Sequence, residues 1–163
     1  MTNQITPCLW FDGKIEEAAN FYITVFKNSR SHKGVSKIET VSRYTKEGFE
    51  IHGHKEGEAL TVTFQLNGQE FTALNGGPEF KFNESISFQV FCDTQDEIDY
   101  FWNKLTEGGQ ESQCGWLKDK FGLSWQITPS ILPKLLSDPK KAERVTKAFL
   151  QMKKFDIEKI LHA

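Results

Sequence analysis

The sequence predicts an α+β protein built from two paired βαβββ modules, over residues 5–78 and 86–129, with a C-terminal helical extension over 130–163. Three observations lead there. An apolar run closes on an aspartate and gives way to an aromatic-bearing helical pattern twice, at Phe11-Asp12 and again at Cys92-Asp93. Each helix is followed by alternating segments of period two, the mark of strands with one buried face. Beyond Thr128 the alternation stops and apolar residues return at helical spacing. Duplicated modules of this kind place two small sheets around a shared cleft, within a single domain.

In chain order, Ile5–Phe11 is β-rich, with Pro7 at its start. Asp12-Gly13 ends it and offers a helix N-cap. Ile15, Ala18, Ala19, Tyr22, Val25 and Phe26 then form one apolar stripe. Val35–Tyr44 has β character, and the polar, glycine-containing stretch 45–58 reads as a long loop or ragged hairpin. Leu60–Leu66 alternates without fault into Asn67-Gly68, a strong hairpin signal, and Gln69–Asn75 returns. Gly76-Gly77-Pro78 opens a linker. In the second module Ile86–Cys92 is a strand, and Thr94 with Glu97 fits a capping box. Ile98, Phe101, Trp102 and Leu105 line its helix, which Gly108-Gly109 terminates. A ribbon from Cys114 to Thr128 turns at Lys118–Gly122, and Pro129 ends its pairing. Leu123, Trp125 and Ile127 share one face, so Ser124, Gln126 and Thr128 share the other, which borders a hydrated cleft. Ser137-Asp138-Pro139 starts a helix with proline at N1 and so Asp138 at the cap, and its face carries Val145, Ala148, Phe149 and Met152. Asp156 caps a last helical turn.

Composition narrows the function. A formal charge of −2 argues against nucleic acid or an anionic membrane as partner, and no apolar run is long enough to span a bilayer. Residues 1–7 lack the basic and apolar regions of a signal peptide. Cys8, Cys92 and Cys114 lie far apart, as reduced, buried thiols of a cytoplasmic protein do. A cysteine nucleophile finds no histidine or basic residue nearby in sequence.

Ile5-Thr6-Pro7-Cys8-Leu9-Trp10-Phe11-Asp12, Leu74-Asn75-Gly76-Gly77-Pro78, Cys114-Gly115-Trp116-Leu117-Lys118-Asp119 and Ser124-Trp125-Gln126-Ile127 together resemble the PhnB-like group, also labelled 3-demethylubiquinone 3-methyltransferase-like. That group lies within the glyoxalase, bleomycin-resistance and dioxygenase superfamily. The resemblance covers nearly the whole chain and implies the glyoxalase-like, vicinal oxygen chelate fold, assembled as a homodimer. In metal-dependent members it implies a divalent ion held by His, Gln or Glu from the first and last strand of each module.

The residues here depart from that pattern. The first strands contain no His, Asp or Glu; their donors are Cys8, Gln89 and Cys92. The last strands offer Glu70 and Gln126, the latter where metal-dependent relatives carry a glutamate. Amides are poor ligands without strong partners, so neither a catalytic metal nor a cofactor is expected. His52-Gly53-His54 has metal-ligand spacing but reads as a solvated loop. Asn75-Gly76-Gly77-Pro78 follows a strand yet opens no helix, which weakens an S-adenosylmethionine site. Asp119 reads as an exposed turn residue before it reads as a general base. The expected ligand site comprises Trp10, Phe88 and Trp116 as flat walls and Thr63, Gln65 and Gln126 as polar groups. It suits a small, partly aromatic organic molecule. The alternative is an enzyme, either the methyltransferase of the label or a lyase or dioxygenase of the superfamily.

Overall fold

Period-two alternation builds two sheets of the same topology, one in each of the two compact units, Met1–Lys81 and Phe82–Ala163, into which the chain divides. The computed structural model describes residues 5–30 and 34–163. In the first unit the order is β1 (Cys8–Phe11), α1 (Ile15–Lys27), β2 (Lys37–Arg43), α2 (Phe49–His52), β3 (Ala59–Leu66) and β4 (Gln69–Asn75). The sheet runs β1-β4-β3-β2, with β1 parallel to β4 and the other pairs antiparallel. Val62, Phe64, Phe71, Leu9 and Phe11 are buried on the face that receives the apolar stripe of α1. Tyr22 stacks on Phe64 there, with ring centroids 6.3 Å apart. Burial of each such side chain contributes roughly 1.5–3 kcal/mol.

Two expectations are corrected in this unit, and an open one is resolved. The strand foreseen from Ile5 begins at Cys8, because Pro7 has no N–H to give and contributes only its carbonyl, which accepts from Thr72 N. Asp12 does not cap α1. The chain passes through left-handed Gly13 (φ 73°) and Lys14 (φ 55°) before the helix, so two residues separate Asp12 from the first turn. Lys14 is the N-cap, without a side-chain hydrogen bond. The stretch 45–58 is a hairpin closed by Tyr44 N to Glu58 O and Gly57 N to Tyr44 O, both 2.9 Å, and it carries the short α2 that alternation could not reveal.

The second unit repeats the plan with β5 (Phe88–Cys92), α3 (Gln95–Thr106), β6 (Gln110–Glu111), β7 (Trp116–Lys118) and β8 (Ser124–Pro129), in sheet order β5-β8-β7-β6. Thr94 and Glu97 form the expected capping box. Pro129 is the last residue of β8, opposite Cys92. Asp119 is not exposed: it is 2% accessible, and its carboxylate accepts from Phe121 N, Leu123 N and the Trp125 indole N–H at 2.8, 3.1 and 2.8 Å. It holds the turn and is committed to that task.

The extension forms α4 (Leu132–Leu136), α5 (Ala142–Phe149) and α6 (Ile157–Leu161). Ser137-Asp138-Pro139 does not start a helix. Asp138 Oδ1 accepts from Lys140 N and its carbonyl accepts from Lys141 N and Ala142 N, so these residues make the turn into α5. Asp156 does cap α6, accepting from Lys159 N at 3.1 Å. The face of α5 packs inside this unit. Val145 is buried, Phe149 meets Phe155 edge-on at 6.0 Å, and Met152 O and Lys153 O accept from Cys114 N and Gly115 N at 2.8 and 2.7 Å. Gly115 has φ 80°, and a Cβ there would lie 2.5 Å from the Phe155 ring and 2.7 Å from Ile127 O. Only glycine lets the tail close onto the sheet at this point. Among the described residues no helix is long and apolar enough to cross a membrane.

Candidate functional site

In each sheet one face lies under a helix and the other is open. Strand parity assigns side chains between them. In the second unit Trp125 and Ile127 point to α3, so Ser124, Gln126 and Thr128 take the open side. The register sets Trp116 beside Gln126, Lys118 beside Ser124, and Gln89 beside Gln126. This face is partly covered by the segment that precedes β5. Gln126 Nε2 donates to Ser87 Oγ at 2.7 Å, and its Oε1 accepts from Gln89 Nε2 at 3.3 Å. Ser124 Oγ donates to Asn83 O at 3.5 Å, and Lys118 Nζ pairs with Glu84 Oε1 at 2.5 Å. That hydrogen bond from Lys118 is the main reason the Glu84 carboxyl is held below its ordinary range. Ser124 is fully buried and Thr128 nearly so, which corrects the expectation that the whole polar face borders water. Gln126, Trp116 and Lys118 remain half-exposed.

Between these groups lies a cavity of about 260 Å³, bordered by Trp116, Lys118, Ser124, Glu84 and Gln110. It falls just under the ~300–1,000 Å³ of drug-sized sites and exceeds the ~150 Å³ that admits a benzene. One-ring ligands fit that size. A larger hollow of about 780 Å³ in the first unit lies at the start of α1, among Lys14, Glu16, Arg43, His54 and Glu58. Two contacts cross it, Arg43 with Glu16 at 2.9 Å and His54 Nδ1 with Glu58 Oε2 at 3.3 Å, and it lacks a flat apolar wall. The smaller cavity has the better chemistry for an organic ligand.

The predicted site residues separate by unit. Trp10, Thr63 and Gln65 share the open face of the first sheet, where Thr63 pairs with Thr72 and Gln65 with Glu70. Trp10 is held in place: its indole N–H donates to Gly77 O at 2.8 Å, Phe80 meets it edge-on at 4.9 Å, and a Cβ on Gly76 would lie 2.3 Å from the ring. Trp116 and Gln126 share the open face of the second sheet. Phe88 does not join them. Parity puts it on the helix side with Val90 and Cys92, and its ring lies 5.7 Å from that of Trp125. Lys118 and Glu84 are the members that sequence reasoning missed. Lys118 was within reach, two residues along β7 from Trp116 and so on the same face; nothing in the sequence announces Glu84 as its partner.

The remaining candidates resolve on geometry. The fold family implies a divalent metal, and the donors present do not fit one. The open faces of β1, β4, β5 and β8 offer Cys8, Glu70, Gln89 and Gln126 with hydroxyls, and no group of three His, Cys, Asp or Glu among the described residues could hold an ion. His52 does not lie in a solvated loop but ends α2. Its Nδ1 accepts from His54 N at 3.0 Å, and its Nε2 faces Glu47 O at 3.2 Å. Both ring nitrogens are therefore engaged. Tyr44 packs on both imidazoles, with centroids at 4.5 and 4.4 Å. Burial first, and then the Glu58 carboxylate, raise its phenol, which donates to Asn75 O. Of the cysteines only Cys92 is buried; Cys8 is exposed and Cys114 intermediate. Burial, with Glu97 and Asp93 adding to it, pushes the Cys92 thiol up to about 12, so it is no nucleophile at neutral pH. Gly76 N and Gly77 N both donate to Phe11 O, which leaves that turn without the free N–H groups a cofactor phosphate or carboxylate would need.

Comparison with known proteins accords with this fold. Residues 3–128 match the sequence profile of the family described as 3-demethylubiquinone-9 3-methyltransferase. Among solved structures the chain is similar to a PhnB protein from Bacillus cereus given the same methyltransferase description. The two are 37% identical over 78% of this chain and 99% of that one, with a TM-score of 0.65. A protein from Pseudomonas aeruginosa is 19% identical over 78% of this chain and 98% of its own, with a TM-score of 0.58. The fosfomycin resistance protein FosX from Listeria monocytogenes, solved with Mn(II) and sulfate, is 9% identical over 84% and 97%, with a TM-score of 0.53. At such identities the last two speak for a shared fold alone. No curated protein matches the chain.

Proposed function

The chain belongs to the 3-demethylubiquinone-9 3-methyltransferase family, the PhnB-like group of the glyoxalase and bleomycin-resistance superfamily, and from that membership we propose that it is a metal-independent binding protein for a small, partly aromatic organic molecule. The observation that carries this reading is the open face of the second sheet. Trp116 supplies a flat wall, Lys118 and Ser124 supply placed polar groups, and the cavity of about 260 Å³ that they border has room for one ring, with Gln126 beside Trp116 on the same face. Sites of this kind bind by apolar contact and orient by a few hydrogen bonds. At the positions where metal-dependent relatives hold an ion, the amide of Gln126 is bonded to Ser87 and Gln89 instead.

The methyltransferase reading rests on the family description. Against it stands the occupied Gly76-Gly77 turn, covered by Trp10 and followed by no helix. We place the protein in the cytoplasm, where its three free cysteines stay reduced. We also propose a homodimer, in which the exposed Leu136, Leu150 and Leu161 would be covered.

Native mass spectrometry of freshly purified, untagged protein tests these statements together. The expected result is twice the 18.7 kDa chain mass, with no stoichiometric divalent metal. One equivalent of manganese, iron, zinc or nickel per chain overturns the metal-independent reading, and a clean monomer overturns the dimer.

A further inference from the structure

We propose that the ligand of the second sheet carries a carboxylate, and that Glu84 is a built-in competitor standing in for it. The inference rests on the binding role assigned above to the same cavity. Three side chains on the open face present hydrogen-bond donors toward the segment before β5: the Lys118 ammonium, the Ser124 hydroxyl and the Gln126 amide. The direction of the Gln126 amide is set from its other end, where Oε1 accepts from Gln89 Nε2. All three donors are satisfied by oxygen atoms of one strap of chain, namely the Glu84 carboxylate, the Asn83 carbonyl and the Ser87 hydroxyl. Ionised carboxylates only accept, and their two oxygens offer about four lone-pair sites. A row of donors beside a flat indole is therefore complementary to an aromatic or otherwise planar carboxylate.

The strap is suited to give way. It contains no helix or strand, and its tip is shaped locally, with Ser85 N and Oγ both donating to Asn83 Oδ1. The side chain of Glu84 is 62% exposed and that of Lys118 33%, and surface pairs of this kind are individually weak. Glu111, the other carboxylate at the cavity, is engaged elsewhere, with the Trp102 indole N–H at 3.0 Å and with Lys153 at 3.7 Å. An incoming carboxylate thus exchanges one weak ion pair for another on Lys118 and adds the contact of its ring with Trp116.

The test uses benzoate and its neutral analogue benzamide against the full chain, read by amide and side-chain NMR of the second sheet. Benzoate is expected to shift Trp116, Lys118 and Gln126 and to bind roughly tenfold tighter than benzamide, as a charge-assisted hydrogen bond predicts. Glu84→Gln should tighten benzoate binding several-fold and alter benzamide binding by less than that, because it removes the competing charge from an exposed segment. Lys118→Gln should remove the preference for benzoate. If both probes bind equally well and Glu84→Gln changes neither, the carboxylate inference fails while the binding role survives. If neither probe at millimolar concentration moves any resonance of this face, both fall.

Discussion

The two modules have the same strand order and finish their sheets differently. The first carries a full fourth strand, β2, of seven residues, and closes its linker by laying Trp10 over Gly76. The second has a fourth strand, β6, of two residues and a third, β7, of three. It makes up the deficit with the C-terminal extension, whose carbonyls at Met152 and Lys153 take the N–H groups of Cys114 and Gly115. One module is thus complete in itself, and the other is complete only with the extension. The lesson is that repeated topology does not imply repeated stability or repeated use: the open face lined by Trp116, Gln126 and Lys118 depends on packing more than twenty residues beyond its last strand.

The largest effect that would sharpen this contrast is expected at Trp125. Its side chain is 2% accessible and its indole satisfies the buried Asp119. Trp125→Ala should cost about 3–5 kcal/mol in chemical denaturation, the range for truncating a large buried aromatic. A loss under about 1 kcal/mol would mean that the second sheet is not packed as described.

Next comes the pair of close-approach glycines, one in each module. Gly115→Ala meets backbone at Ile127 O, a buried Phe155 ring and a positive φ, so a loss of about 1–3 kcal/mol or more is expected, with weaker docking of the extension. Gly76→Ala meets only the half-exposed Trp10 ring. Displacing that ring gives up its bond to Gly77 O and its contact with Phe80 at the surface but meets no backbone, so the cost should be smaller and accompanied by a red shift of tryptophan emission. Equal costs at the two sites would break the comparison.

Smaller still is Gln126→Ala. Its partners Ser87 and Gln89 are reached by water, so the stability loss should stay under about 1 kcal/mol, while affinity for benzoate falls. A loss as large as that of Trp125→Ala would mean that both faces of β8 are buried.

The smallest effect concerns acid. A hydrogen bond from Lys154, at 2.6 Å, chiefly lowers the Asp99 carboxyl, and one from Lys159 N chiefly lowers that of Asp156. Both fall below the ordinary 3.8, so their contribution is present above that value and is lost as pH falls through the depressed folded values. Both hold the extension. Hydrogen exchange at Cys114 and Gly115 should therefore accelerate below about pH 4 before exchange in β3 and β4 does. Simultaneous loss in both modules would contradict the separate finishing of the two sheets.

Much of this was legible in the sequence because it depends on local pattern. The stripe of α1, the Thr94–Glu97 box, the Asn67-Gly68 hairpin and the capping by Asp156 all follow from spacing within a few residues. What escaped was set by contacts between distant residues. Asp119 looked exposed because turns are, and it is buried because Trp125 and two backbone N–H groups converge on it. Asp138 looked like a helix cap, and its side chain and carbonyl instead serve the following turn. Phe88 looked like a cleft wall, although its parity with Val90 and Cys92 already pointed to the helix side. Lys118 could have been found from its parity with Trp116, whereas the oxygens that answer Lys118, Ser124 and Gln126 come from a segment with no periodicity to read.

The bonds from Cys114 and Gly115 to Met152 and Lys153 also set an order of events during synthesis. The first module has every residue it needs once β4 and its linker have left the ribosome, and its strands can pair while the rest of the chain is still being made. The second sheet cannot tie down the turn that leads into β7 until the residues after α5 emerge. Through that interval the backbone donors of Cys114 and Gly115 wait unpaired beside a short strand, which is the condition under which strand edges find wrong partners. A nascent chain that has emerged only as far as α5 would therefore present one finished module and one turn with its donors unpaired.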